Sequence, residues 1–308
     1  MIEQQPCRVC VVGGINVDIS GTADSGMMLG DSNPGQVHIS MGGVGRNIAE
    51  NLLHLGCRVQ MVTCLGDDLN AQTVRAHCET IGLDLSLSET VPGMACGTYL
   101  CLNDARGDLL CAVSDMRICE CITPEFLAPR MDAINISELV VVDSNLPEAS
   151  LRYLADHCTA PLCADPVSIS KSMRLSGVLG HLYAIKPNRP EAEKLTGISI
   201  HGTEGLDATA DHLLEKGVRN VFISLGASGV FYASKDVRGV QACLTDHVVN
   251  TNGCGDAFFA SACLALQRGG TIARAALLGQ AASAICAESP LAVNPSLSLD
   301  AVLRRAEH

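Results

Sequence analysis

Val248-Val249-Asn250-Thr251-Asn252-Gly253-Cys254-Gly255-Asp256-Ala257-Phe258-Phe259-Ala260-Ser261-Ala262 is a glycine-punctuated turn that runs straight into an apolar helix. Gly253 and Gly255 carry no Cβ, so the backbone can curl and aim successive N–H groups at one point, where an anion would sit. The helix, predicted over 256–267 before Gly269-Gly270, brings its positive dipole end to the same point. Asp256 then admits two readings. It caps the helix, or it is a general base that takes a proton from a hydroxyl attacking a phosphoryl group held by the amides. The loop by itself leaves both open.

Strands and helices alternate through the rest of the chain. Arg8–Val12 is a short apolar strand ended by Gly13-Gly14, and further strands are predicted over 58–65, 139–143, 161–165, 182–185 and 218–224, with a helix over 71–81. Repeated βα units with apolar strands imply a parallel sheet covered on both faces, whose ligands collect at the carboxyl ends of the strands. Polar residues cluster there. Asn16 and Asp18 alternate with Ile15, Val17 and Ile19, so they share one face of an extended segment, where they grip a sugar's hydroxyls or belong to an ordinary solvated loop.

Met41-Gly42-Gly43-Val44-Gly45-Arg46-Asn47-Ile48 opens an amphipathic helix carrying Ile48, Leu52 and Leu55 and ending at Gly56. Glycines there suggest close backbone approach to a ligand, yet the pattern is not GxGxxG, and no GxxxxGK[ST] loop exists, which disfavours a Rossmann dehydrogenase and excludes a P-loop. Residues 36–40 and two runs within 97–111, around the turn 103–108, alternate as half-exposed strands and predict a small sheet apart from the main core.

The chain has 308 residues, 47% of them hydrophobic, and a net charge of −12 with a pI near 5.1. It is long enough for one large core and acidic enough to disfavour nucleic acid or an acidic membrane surface as a partner. No basic start with an apolar run and no membrane-length apolar segment is present, so a cytoplasmic location is expected. Its 16 cysteines fall mostly in apolar strands and helices and read as small buried hydrophobes in a reducing compartment. Cys7 and Cys10 have CxxC spacing, but in a strand they point to opposite faces, and no second CxxC completes a zinc site. No repeat, low-complexity tract or linker divides the chain.

The chain resembles the ribokinase-like carbohydrate kinases, the PfkB family, over nearly its whole length. Gly42-Gly43-Val44-Gly45-Arg46-Asn47-Ile48-Ala49 matches the family's amino-terminal glycine motif, Asn250-Thr251-Asn252-Gly253-Cys254-Gly255-Asp256 its carboxyl-terminal one, and Asn188 with Glu191 its Asn-x-x-Glu. The resemblance implies a single α/β domain over 1–308, a three-layer α/β/α sandwich with a mostly parallel central sheet. A small β-sheet lid, from insertions at roughly 15–41 and 96–120, would double as a homodimer contact. By position Asp256 is the general base, and the amides of Gly253, Cys254 and Gly255 form the anion hole. Asn16, Asp18, Gly42, Gly43 and Asn47 hold ribose-like hydroxyls. Asn188 and Glu191 organise Mg²⁺ and phosphates through water, while Ser224, Gly226, Gly229 and Asn294 bind ATP.

Two positions depart from the family pattern. Asn250 replaces an Asp near which several relatives shape a monovalent-cation site, which leaves a potassium requirement open. Cys254 replaces an Ala and keeps a free backbone N–H. Within the family the chain is most similar to bacterial pseudouridine kinases, through Asp31-Ser32-Asn33-Pro34-Gly35, Asp115-Met116, Asp165-Pro166-Val167-Ser168 and Asn294-Pro295. Ser32, Asn33 and Asp115 would then sense the base, or their turn only shapes the lid. Asn145 is a further substrate candidate, Lys171 a candidate for phosphate, and Asp165 a further site candidate. The implied reaction is ATP-dependent phosphorylation of the 5′-hydroxyl of pseudouridine. Alternatives are a ribokinase or another nucleoside or sugar kinase, a catalytically silent ligand-binding protein and, more remotely, an oxidoreductase.

Overall fold

The computed structural model describes residues 6–106 and 108–307; residues 1–5, read above for a leader, and Gly107 of the predicted 103–108 turn lie outside them. Among the described residues the strands, in chain order, are β1 Arg8–Val12, β2 Asn16–Ala23, β3 Gly35–Gly42, β4 Arg58–Val62, β5 Cys64–Leu65, β6 Glu89–Thr90 and β7 Gly97–Asn103. They continue with β8 Leu109–Asp115, β9 Leu139–Asp143, β10 Leu162–Asp165, β11 Leu182–Ile185, β12 Asn220–Ser224, β13 Val230–Ser234 and β14 Arg238–Gln241. Eight of them build one sheet in the order β14-β13-β12-β11-β10-β9-β1-β4. It is parallel from β4 to β12 and antiparallel from β12 to β14.

Every residue of β9 is buried, which explains its unbroken apolar run: both faces of the sheet are covered. Val9 and Val11 enter one apolar layer with the helices Val44–His54, Cys254–Gln267 and Ile272–Ala287, whereas Cys10 and Val12 enter the opposite layer with Glu148–His157, Arg189–Thr196 and Gly202–Glu215. Cys7 and Cys10 accordingly fall in different layers, and all 16 cysteines are free thiols. No helix of the described residues is long and apolar enough to cross a membrane.

Several boundaries differ from the sequence reading. The run 58–65 breaks at the buried Thr63 into β4 and β5, because β5 turns to pair with β6. The antiparallel pair β13 and β14 was not foreseen. The helix of the opening stretch starts at Cys254, two residues earlier than expected, since Gly253 adopts a left-handed φ of 78° that swings the chain into it.

A second sheet has the order β3-β2-β7-β8. Its second segment ends at Asp115 rather than near 120, because the turn Arg117–Cys121 buries Ile118 and Cys119 in the main core. Cross-strand register puts Ser40, Asp18, Tyr99 and Ser114 in one row and Ile39, Ile19, Leu100 and Val113 in the adjacent row on the other face. One face is therefore polar and the other apolar.

Candidate active site

Asp256 stands at the third position of the Cys254–Gln267 helix and is buried there. The cap is Gly253, with no capping side chain, so the capping reading of Asp256 fails. Its Oδ2 instead accepts a hydrogen bond of 2.7 Å from Asn47 Nδ2 in the first turn of the Val44–His54 helix. The two glycine motifs, 209 residues apart, meet in that bond. The other side-chain atom of Asn47, Oδ1, is buried and has no partner among the described residues, so an acceptor is left free beside the carboxylate.

Lys186, at the carboxyl end of β11, supplies the nearest positive charge. Its Nζ lies 3.0 Å from Asp165 Oδ2, and a Cβ added to Gly255 would stand 2.9 Å from it, so only glycine lets the ammonium approach the loop this closely. Burial disfavours the charge on Lys186, but Asp165, Glu191 and Asp256 outweigh burial and raise its pKa. Burial pushes Asp256 up to about 7, with a further push from Asp165 and opposing pulls from Lys186 and Asn47. Glu191 is raised by burial and by Asp165. Three buried acids thus share one ammonium, an excess of negative charge that suits a bound cation.

The anion loop differs in one respect from expectation. The amide of Cys254 donates to Thr251 O at 3.3 Å, whereas those of Gly253 and Gly255 take no protein acceptor among the described residues. Two of the three amides are open to an anion. No side chain fits at Gly253, where a Cβ would overlap the carbonyl oxygen of Ala292. Asn250 closes the loop: its Oδ1 accepts from Asn252 N and its Nδ2 donates to Pro290 O, both at 3.0 Å. An ionised Asp at this position would have no hydrogen to give Pro290.

Beside the loop opens a cavity of about 450 Å³, whose walls include Lys186, Ser224, Gly226, Gly229, Cys254 and Gly255. The structure thus brings the three expected nucleotide-loop residues to the anion loop. Asn294 is not on these walls; its Nδ2 donates to Ile285 O and its Oδ1 accepts from Ser296 N, so it shapes the turn behind them. Asn188 and Glu191 form a reciprocal capping box, each side chain accepting the other's amide at 2.9 Å. Asn-x-x-Glu is itself a capping-box pattern, a signal left unused in the sequence. Glu191 lies close enough to Lys186 and Asp165 to sense their charges.

Beside the amino-terminal glycine motif, Asn16 Nδ2 donates to Asp18 Oδ1 at 2.5 Å, and the Asp18 carboxylate covers Gly42 so closely that a Cβ there would collide with it. Burial raises the pKa of Asp18. Asp143 ties this region together. Its Oδ2 accepts from Gly14 N (2.9 Å) and Gly45 N (2.8 Å), and its Oδ1 from Asn145 N (2.9 Å). Asn145 Oδ1 accepts from Lys171 Nζ at 2.5 Å, and burial lowers the Lys171 pKa. Val167, between Asp165 and Lys171, has a φ of 64°, an uncommon conformation for a β-branched residue and a sign of local strain at the strand end.

Ser32, Asn33 and Asp115 are not drawn into this cluster by any hydrogen bond. Asn33 bonds Met28 and Asp31 within its own turn, and Asp115 pairs with Arg117. Residues that the sequence reading missed are Lys186 and Asp143; Met116, named there with Asp115, brings its methyl group beside Asn145 Nδ2 against Gly14. Lys186 and Asp143 stand at or just past the carboxyl ends of apolar strands, the same signal that singled out Asp165 and Asn145.

A helix amino terminus with open amides, a buried carboxylate beside it, and a cavity of about 450 Å³ at strand ends suit phosphoryl transfer to an alcohol. The chain belongs to the pfkB family of carbohydrate kinases, whose model matches residues 7–299. It is 32% identical to the pseudouridine kinase of Escherichia coli over 97% of this chain and 96% of that one. It is 25% identical to the ribokinase of Haemophilus influenzae over 89% of this chain and 90% of that one. The Arabidopsis thaliana ribokinase solved with ribose and ATP superposes with a TM-score of 0.87 at 20% identity, covering 99% of this chain and 100% of its own, which establishes the common fold.

Proposed function

We propose that this kinase transfers the γ-phosphoryl group of ATP to the 5′-hydroxyl of pseudouridine. The observation that carries the kinase chemistry is the buried Asp256, held by Asn47 beside the open amides of Gly253 and Gly255. With a pKa near 7 it is a poised acceptor for the hydroxyl proton. The amides and Lys186 hold charge on the phosphoryl oxygens, and Asn47 Oδ1, Asn16 and Asp18 receive the ribose hydroxyls. Asn145 and Lys171 take the base or its linkage, and Ser224, Gly226 and Gly229 the adenine nucleotide. Mg²⁺, bound with ATP, would neutralise phosphate charge, held through water by Glu191 within the excess of acids.

Pseudouridine is favoured over ribose by the higher identity to the E. coli pseudouridine kinase. The test is ATP consumption with pseudouridine, uridine, cytidine, adenosine and ribose side by side, with the product's phosphate position read by NMR. Pseudouridine should give the highest kcat/KM. A higher value for ribose would sink the substrate assignment, and no consumption with any acceptor would return the silent-protein reading.

We further propose a homodimer through the apolar face of the small sheet, where Val37, Ile39 and Val113 are about two-thirds exposed (68, 65 and 67%). Sedimentation should give a dimer for the parent and a monomer for Ile39→Lys. A monomeric parent rules the dimer out.

A further inference from the structure

Three pairs of cysteines lie near enough for each thiol to shift the other's ionisation: Cys7 with Cys57, Cys163 with Cys263, and Cys254 with Cys286. The first two pairs are buried in the core. In the third, Cys286 is buried in the last turn of the Ile272–Ala287 helix, but Cys254 is partly exposed and forms part of the wall of the 450 Å³ cavity. Cys254 Sγ donates to Asn250 O at 3.7 Å, while Cys286 Sγ contacts Asn252 O at 3.7 Å and Ala292 O at 3.3 Å. Both thiols therefore grip the backbone of the anion loop from either side, and one of them is open to a small molecule.

We infer that Cys254 is an oxidative modification site, with Cys286 as its resolving thiol, and that the pair locks the anion loop in an inactive form. A hydroperoxide is the oxidant. The sulfur of Cys254 attacks the terminal peroxide oxygen, the O–O bond breaks, and an alcohol or water leaves with the thiol proton, giving a sulfenic acid. The Cys286 sulfur then attacks Cys254 Sγ, the S–O bond breaks, water leaves with the second thiol proton, and a disulfide forms. Two thiols lose two electrons and one peroxide gains them.

Two features of the site help the first step. The Cys254 thiol is held below its ordinary pKa, chiefly by the hydrogen bond from Cys286 and against the effect of burial. It also stands at the amino terminus of a 14-residue helix, whose dipole favours a thiolate. The lock follows from geometry: closing the two sulfurs to a bond of about 2 Å moves the first residue of that helix, and with it the open amides of Gly253 and Gly255. The loss of activity rests on the kinase reading above, but the thiol chemistry does not.

The full-length protein, treated with a stoichiometric excess of hydrogen peroxide with and without ATP, is digested without reductant and analysed by mass spectrometry while ATP consumption is followed. A Cys254–Cys286 linked peptide should appear in step with a fall in turnover of at least about tenfold, and dithiothreitol should reverse both. ATP should slow the reaction by covering Cys254. In Cys286→Ala, dimedone should instead trap Cys254 as a sulfenic acid. Oxidation that starts at Cys243 or at another pair, or that leaves Cys254 unlinked and undimedonylated, overturns the inference. A link that forms at the same rate with and without ATP supports the thiol chemistry and counts against the cavity as the nucleotide site.

Discussion

Asp256→Asn should lower kcat by about 10²–10⁴-fold while leaving the affinity for ATP nearly unchanged, because it removes a proton acceptor used only as the hydroxyl attacks. The amide keeps the size of the side chain and can still meet Asn47 Nδ2 through its oxygen, so the pocket should stay formed. The parent's kcat/KM should rise with pH through about 7, where the buried carboxyl loses its proton, and the variant should lack that limb. Stability should move the other way. Burial raises this carboxyl from 3.8 to about 7, so its contribution to folding is intact below the unfolded value and is lost as pH rises through the folded one. At pH 8 the variant should therefore melt higher than the parent, by roughly a few degrees, and the gap should close toward about pH 4. A variant that turns over within about fivefold of the parent rules out Asp256 as the base.

That one carboxylate shows what the sequence made legible and what it hid. Gly253, Gly255 and the apolar helix after them announced an anion loop because glycine and helix polarity act locally, within a few residues. The capping reading failed on where the helix begins, at Gly253, while the carboxylate's partner is Asn47, 209 residues away, and no local pattern reports a contact of that range. The parallel sheet was legible for a similar reason: a strand such as β9, buried on both faces, writes its environment as an unbroken apolar run. β13, next to the sheet edge, and β14, at the edge, show neither an unbroken buried run nor an alternation of buried with exposed positions, and they were missed. Asn188 and Glu191 carried the opposite lesson. Their spacing served both a family motif and an ordinary capping box, and the structure gives the box in full. Asn294 was linked to ATP through a resemblance, whereas its amide is spent on the turn that holds Ile285 and Ser296.

Lys186→Met should lower turnover at pH 7 by roughly 10²-fold, recover part of it at about pH 9, and raise the KM for ATP. The ammonium is buried, pairs with Asp165 at 3.0 Å, and faces Gly255 on the anion loop. It acts on both reactants: it favours charge on phosphate oxygens, and it opposes the burial and the Asp165 charge that keep Asp256 protonated. Without it, Asp165, Glu191 and Asp256 face one another with no positive charge between them, so the acid limb of the pH–rate profile should move at least about one unit above the parent's. Breaking a buried ion pair also destabilises by about 3–5 kcal/mol, and a melting curve separates that effect from the chemistry. A merely structural role for Lys186 lowers the rate by the same factor at every pH, because a shrunken folded fraction scales the profile without displacing it. A displaced limb together with a raised KM requires the ammonium to touch proton and phosphate at once. A limb that stays in place while KM rises confines Lys186 to phosphate binding and leaves the pKa of Asp256 to burial and Asn47 alone.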